Sequence, residues 1–171
     1  MTAELTPTES AVVAEAMKKS GLVWLRVGEA RASPVWHLWH ENSAYVLHGG
    51  DEQPAPGLAD AANVAVAVRS KDNGGRLVVW SASVTAVSPD SAEWSTVVPL
   101  LAAKRLNAPD GPAAPERWAR SCRISRLTPT GALLESWTDP DTGSGAAEAP
   151  ETPATSWVPL PSWLGRRRPR R

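Results

Sequence analysis

The sequence predicts a small, mainly β barrel with one helix before it and another late in the chain. Two observations carry that expectation. Short runs rich in Val, Trp and Leu recur between Gly, Asn and Asp turn signals, and the capped helical patterns are confined to the start of the chain and the stretch after residue 90. Strands joined as hairpins favour a barrel over a parallel sheet with crossover helices.

The elements follow in order. Thr6-Pro7-Thr8-Glu9 reads as a helix start: Thr6 caps, Pro7 suits the first helical position and Glu9 completes a capping box. Val12, Val13, Ala16 and Met17 then form an apolar stripe, Lys18 and Lys19 suit the C-terminal end, and Gly21 ends the helix. Leu22 to Val27 is a strand, and Gly28-Glu29-Ala30 a turn. The densest stretch, from Arg31 to Gly50, reads as a hairpin. Pro34 to His40 is one arm, Glu41-Asn42-Ser43 the turn and Ala44 to His48 the other arm. It places Trp36, Trp39, His37, His40 and His48 close together. Rings and imidazoles on paired strands suit a flat ring ligand, and they suit a protein core equally well. Alternation puts Trp36 and Trp39 on opposite faces, so at most one lines any given pocket.

Asp51 to Asp60 is loop-like, and Asn63 to Arg69 is a Val-dense strand buried on both faces. Lys71 to Gly75 is a hairpin turn, and Arg76 to Val87 a long strand expected to bend near Ser81 to Ser83. Asp90-Ser91-Ala92-Glu93 starts a second helix, with Trp94, Val97, Val98 and Leu101 on one face and Pro99 expected to kink or split it. Asn107 to Pro115 is a loop, Glu116 to Arg120 a helical turn, and Cys122 to Leu127 the last strand. Thr128-Pro129-Thr130-Gly131 then turns the chain into Leu133 to Trp137. From Thr138 the composition shifts to Asp, Pro, Thr, Gly, Ala and Glu, which predicts a domain over residues 1–137 and a disordered tail over 138–171. No internal repeat is visible.

Composition narrows the function classes. The chain has 171 residues with nine Trp, one Tyr and no Phe, so Leu, Val and Trp must fill the core. Its formal charge is zero, but five of its 18 basic residues are arginines in the last six positions. The first 165 residues therefore hold 13 basic against 18 acidic side chains, a charge of −5. An acidic body disfavours nucleic acid as a specific partner. The single cysteine, Cys122, excludes an internal disulfide and Cys-rich metal sites, and reads as a structural thiol. His37 and His40 differ by three and face opposite sides of a strand, so no metal site is expected. There is no Gly-rich phosphate loop and no nucleophile elbow. With neither a transmembrane run nor a signal-peptide core, the expected location is cytoplasmic.

The order of elements, with R-A-S-P-V-W-H-L-W-H on the second strand and G-G-R-L-V-V-W-S-A-S-V-T-A-V on the long one, resembles the pyridoxamine 5'-phosphate oxidase-like split barrels. These include the flavin and deazaflavin oxidoreductases abundant in actinobacteria. Pro34, Val35 and Trp36 match the Pro-x-Trp-like segment of that family, over a resemblance spanning residues 8 to 130. It implies a six-stranded split β-barrel of the FMN-binding type that forms a homodimer. FMN or a deazaflavin would bind at the interface and pass electrons to a small organic molecule. One departure stands out. Where the family places Ser/Thr, a cation and an Asn-Leu pair for the cofactor phosphate, this chain has G-G-D-E-Q-P-A-P-G-L, in which only Leu58 fits. Asp51 and Glu52 would repel a phosphate, which needs cations or backbone N–H donors.

The candidate cofactor-binding residues are therefore Trp36 as the ring contact, His48 and Gly49 where the chain can approach a ligand closely, and Arg69 and Lys71 as replacement cations. No residue has the marks of a catalytic acid or base. The alternative reading is a split barrel without cofactor, serving as a non-catalytic binding or interaction module. In the tail, Trp157 to Leu164 is an apolar strip that Pro159 and Pro161 keep extended. It is expected to dock marginally onto the barrel or its dimer mate, near or over the cofactor site, as a lid or as an occupant of the pocket, with the arginines from Arg166 free in solvent.

Overall fold

The computed structural model describes residues 5–69, 76–106, 108–131 and 133. The turn at 71–75 with Lys71, the linker from Thr138, the strip Trp157 to Leu164 and the arginine tail lie outside the described residues.

Helix α1 (Pro7–Lys19) starts as its sequence dictates. Thr6 Oγ1 accepts the Glu9 N–H at 3.3 Å, and the Glu9 carboxylate accepts the Thr6 N–H at 2.8 Å. Seven strands follow: β1 (Leu22–Arg26), β2 (Ser33–Trp36), β3 (Leu38–His40), β4 (Ser43–His48), β5 (Asn63–Arg69), β6 (Arg76–Val87) and β7 (Arg123–Thr130). Helix α2 (Ala92–Lys104) and helix α3 (Ala114–Ser121) sit between β6 and β7. All pairings are antiparallel, in the order β2-β1-β5-β6-β7-β4-β3. The two ends of this order, β2 and β3, are separated in sequence by His37 alone. The chain therefore joins both edges of its own sheet, and a nearly closed barrel results. Counted as one interrupted strand, β2 and β3 reduce the seven to the expected six.

The interruption has a visible cause. Continuing the β3–β4 register by two residues would set Trp36 opposite Leu47. Instead, the Gln53 amide stands between them. Its Oε1 accepts the Trp36 N–H at 2.8 Å, and its Nε2 donates to the Trp36 carbonyl at 2.8 Å and the Leu47 carbonyl at 2.9 Å. One side chain satisfies three backbone groups that a ladder would otherwise pair. The expected hairpin from Pro34 to His48 is thereby corrected. Only Leu38 to His40 pairs with β4, through a two-residue turn in which Glu41 and Asn42 have φ of +45° and +57°. Residues 33–36 pair with β1.

Two cores form on either side of β4, whose six residues are all buried. The barrel interior holds Val23, Val35, Val46, Val66, Trp80 and Leu127, with Val13 and Met17 of α1 packed into the same cluster. The outer face of β4 and β7 is covered by α2 and α3, through Leu47, Ile124, Trp94, Leu101 and Trp118. Helix α2 runs unbroken through Pro99, against the expected kink or split. Pro99 lies on the exposed face, so the carbonyl it leaves without an N–H partner can meet water while the buried face holds the helix. Strand β7 extends to Thr130, past the expected turn at Thr128, with Pro129 opposite Ala82 and the reversal delayed to Gly131 at φ +72°. The expected helical turn at Glu116 is a full helix from Ala114, and Cys122 is its cap rather than a strand residue.

Candidate functional site

Alternation decides which tryptophan can meet a ligand. Val35 points into the barrel, so Trp36 points out, while Trp39 joins the interior edge-on to Trp80, with ring centroids 6.1 Å apart. Trp36 is half-buried and forms the wall of an open cleft of about 420 Å³, together with Gly21, Lys104, Arg105 and Leu106. The Arg105 guanidinium carbon lies 6.0 Å from the centre of the Trp36 ring. Lys104, at the C-terminal end of α2, has its ammonium pKa lowered by desolvation. The cleft thus combines an aromatic wall, an exposed Leu106 and two cations. That combination suits a flat, anionic ring.

Arg69 reaches the same surface. Leu22 pairs with Trp36 on one side, and extending the β1–β5 register places Leu22 beside Arg69 on the other. Trp36, Leu22 and Arg69 form one outward row, its ends two strand spacings or about 10 Å apart. Arg69 stacks on Trp24 with its guanidinium carbon 4.6 Å from the ring centre, and its Nε is buried without a hydrogen-bond partner. It is a stacked cation with a donor to spare. Lys71, its expected companion, lies outside the described residues.

His48 and Gly49 are engaged by the protein itself. His48 is buried, its Nε2 2.9 Å from the Ser125 hydroxyl, and its pKa is lowered by burial and by Arg123. Gly49, at φ +83°, donates its N–H to the Gln53 carbonyl and accepts from the Glu52 N–H and the Cys122 thiol. The structure therefore groups Trp36 and Arg69 on one outer face and sets His48 and Gly49 against β7 and α3.

Sequence reasoning missed the ion network beside the cleft. The Glu52 side chain is 1% exposed, and its carboxylate accepts from Arg105 Nε at 2.9 Å, Arg117 Nη2 at 3.0 Å and Trp118 Nε1 at 3.0 Å. Burial alone would raise this carboxyl; the hydrogen bonds from Arg117, Arg105 and Trp118 outweigh it and hold it below its ordinary value. Arg117 also holds Asp110 through two bonds of 2.7 and 3.1 Å. The acidic character of Asp51-Glu52 was legible, but the partners lie 53 and 65 residues away, where no local signal links them. Among the described residues no cluster of three or more His, Cys, Asp or Glu side chains is placed to hold a metal, and no helix is long and apolar enough to cross a membrane.

No model of a known protein family matches this chain, and no curated protein matches it. Solved structures do. HutZ, the heme storage protein of Vibrio cholerae, superposes with a TM-score of 0.54 at 15% identity, over 71% of this chain and 90% of that one. A candidate pyridoxamine 5'-phosphate oxidase from Listeria innocua superposes with a TM-score of 0.50 at 12% identity, over 74% of this chain and 98% of that one. At such identities the likeness is one of fold: the chain shares the split-barrel architecture of these structures.

Proposed function

We propose that this chain is a flavin-binding split-barrel protein, taking FMN or a deazaflavin and acting with it on a small organic molecule. The observation that carries the reading is the outward row of Trp36 and Arg69 beside a cleft of about 420 Å³. Trp36 offers a face for the ring, Lys104 and Arg105 supply positive charge at its edge, and the unpaired Arg69 Nε is a donor for an anionic tail. When bound, a flavin supplies the electron transfer; the protein's part is binding, orientation and charge. The barrel works as a homodimer in this reading, because the same outer face carries exposed apolar residues that a second copy would cover.

Titration of FMN and riboflavin into the purified protein, followed by flavin fluorescence, tests the assignment. Trp36→Ala should weaken both ligands about tenfold. Arg69→Ala combined with Lys71→Ala should weaken FMN by more than about tenfold and leave riboflavin nearly unchanged, because a charged hydrogen bond is lost only where a phosphate is present. Equal loss for both ligands in the double variant would place the phosphate elsewhere. One observation favours the alternative of a cofactor-free interaction module: Glu52 engages Arg105 and Arg117, so the loop after β4 offers a phosphate no free cation. That module would bind neither flavin.

A further inference from the structure

The chain turns sharply after β4, with Gly49 and Gly50 at φ +83° and +56°, and the Glu52 side chain, 1% exposed, lies between the C-terminal end of α2 and α3. A Cβ on Gly50 would stand 2.9 Å from the Ser121 carbonyl oxygen, so the turn is packed tightly against the end of α3. Three donors converge there from two elements: Arg105 from the end of α2, Arg117 and Trp118 from α3. Their fork of N–H groups around one carboxylate is how proteins bind free anions. The fork is also under-filled. Arg117 Nη1 is buried without a hydrogen-bond partner, although Arg117 already serves Glu52 and Asp110. A carboxylate offers about four lone-pair sites, and tethering by the Glu52 side chain limits which donors it can reach.

We propose that Arg105, Arg117 and Trp118 form a receptor for a small carboxylate, which the chain fills with its own Glu52. Two consequences follow for the neighbouring cleft. Arg105, which lies over Trp36, has its Nε committed to Glu52, so Glu52 competes with any anion in the cleft for this cation. And a small carboxylate, not a bulky phosphate, is what the pocket fits, since the Glu52 side chain already fills it to 1% exposure.

Glu52→Ala tests this without reference to flavin, so the two readings fail separately. The variant loses a buried carboxylate and leaves two guanidiniums close together, so it should melt well below the wild type. Added sodium formate should then raise its Tm by about 4 °C or more in a saturable manner, while sodium chloride at equal ionic strength should not. If the variant does not fold alone, the same reading is taken as folded yield on refolding with formate against chloride. The wild type, whose receptor is full, should show no difference between the two salts, and Glu52→Ala with Arg117→Ala should lose the formate response. Identical effects of formate and chloride on Glu52→Ala, or a formate response that survives removal of Arg117, would overturn the receptor.

Discussion

His37 sits at the one position where the barrel strand is interrupted, and its environment makes it a proton-sensitive residue. It is fully buried, with Nε2 3.2 Å from the Met17 carbonyl at the end of α1 and Nδ1 without a partner. Burial, and then the nearby Lys104, lower its pKa from 6.5 to about 4, only partly opposed by the Met17 carbonyl. The folded value lies below the unfolded one. The stability this represents is therefore present above pH 6.5 and is lost as pH falls from 6.5 toward 4, where the unfolded chain binds the proton first. Over that whole window the loss is about 3 kcal/mol, of which about 2 falls above pH 5. His48 is shifted in the same direction and adds to the loss below pH 6.5. Urea unfolding at pH 7 and pH 5 should show the wild type losing about 2 kcal/mol more than His37→Gln across this interval. Equal losses in the two proteins would mean that His37 titrates normally. Nothing in the sequence around His37 announces this: its neighbours Trp36 and Leu38 are apolar, and the carbonyl that meets it belongs to a helix 20 residues earlier.

At the scale of elements, the split between β2 and β3 depends on Gln53. Its amide supports the Trp36 N–H, the Trp36 carbonyl and the Leu47 carbonyl at once. Gln53→Leu keeps the side-chain bulk and removes every donor and acceptor. Three backbone groups then lack partners, at a cost of about 1–3 kcal/mol for each that water cannot reach. A loss of about 3 kcal/mol in unfolding free energy is expected, with faster amide exchange at Trp36 while β5 and β6 stay protected. Unchanged exchange at Trp36 would show that the strand break persists without the wedge. The elements that were legible in the sequence share one property: their signals are local. The capping box of α1, the Val-dense run of β5 and the long β6 all have the expected bounds, because each carries its own pattern within a few residues. The break at His37 was not legible, since its cause is a glutamine 17 residues downstream. Pro99 misled in the opposite way: local propensity argued for a break, and the packing of Trp94, Val97 and Leu101 prevailed.

For the molecule as a whole, the decisive feature is the outer face of β2, β1, β5 and β6. Here, Leu22 is 55% exposed, Pro34 is exposed, and Trp24 and Trp36 are half-buried. Beneath Trp24 lie Ala67 and Val79, which form a small apolar cluster outside the barrel. A single soluble chain rarely leaves such a connected apolar face in water. The sequence pointed to it only indirectly, through Trp and Val at strand positions of both parities; the registers that align Trp36, Leu22 and Arg69 appear only once the strands are paired. The expected outcome is a homodimer burying more than about 1,600 Å² in total, with this face at its centre. Leu22→Lys is the sharpest variant. Leu22 is exposed in the single chain, so the substitution should leave the barrel's own stability within about 0.5 kcal/mol. In the dimer it would bury an ammonium beside Arg69, with no compensating anion in the row. Dissociation should therefore rise by at least about a hundredfold, equivalent to about 2.7 kcal/mol. Sedimentation velocity across micromolar concentrations reads the dissociation, and urea unfolding reads the stability of the barrel. A wild-type protein that sediments as a monomer throughout would refute the dimer, and a Leu22→Lys dimer of unchanged affinity would move the interface to another face.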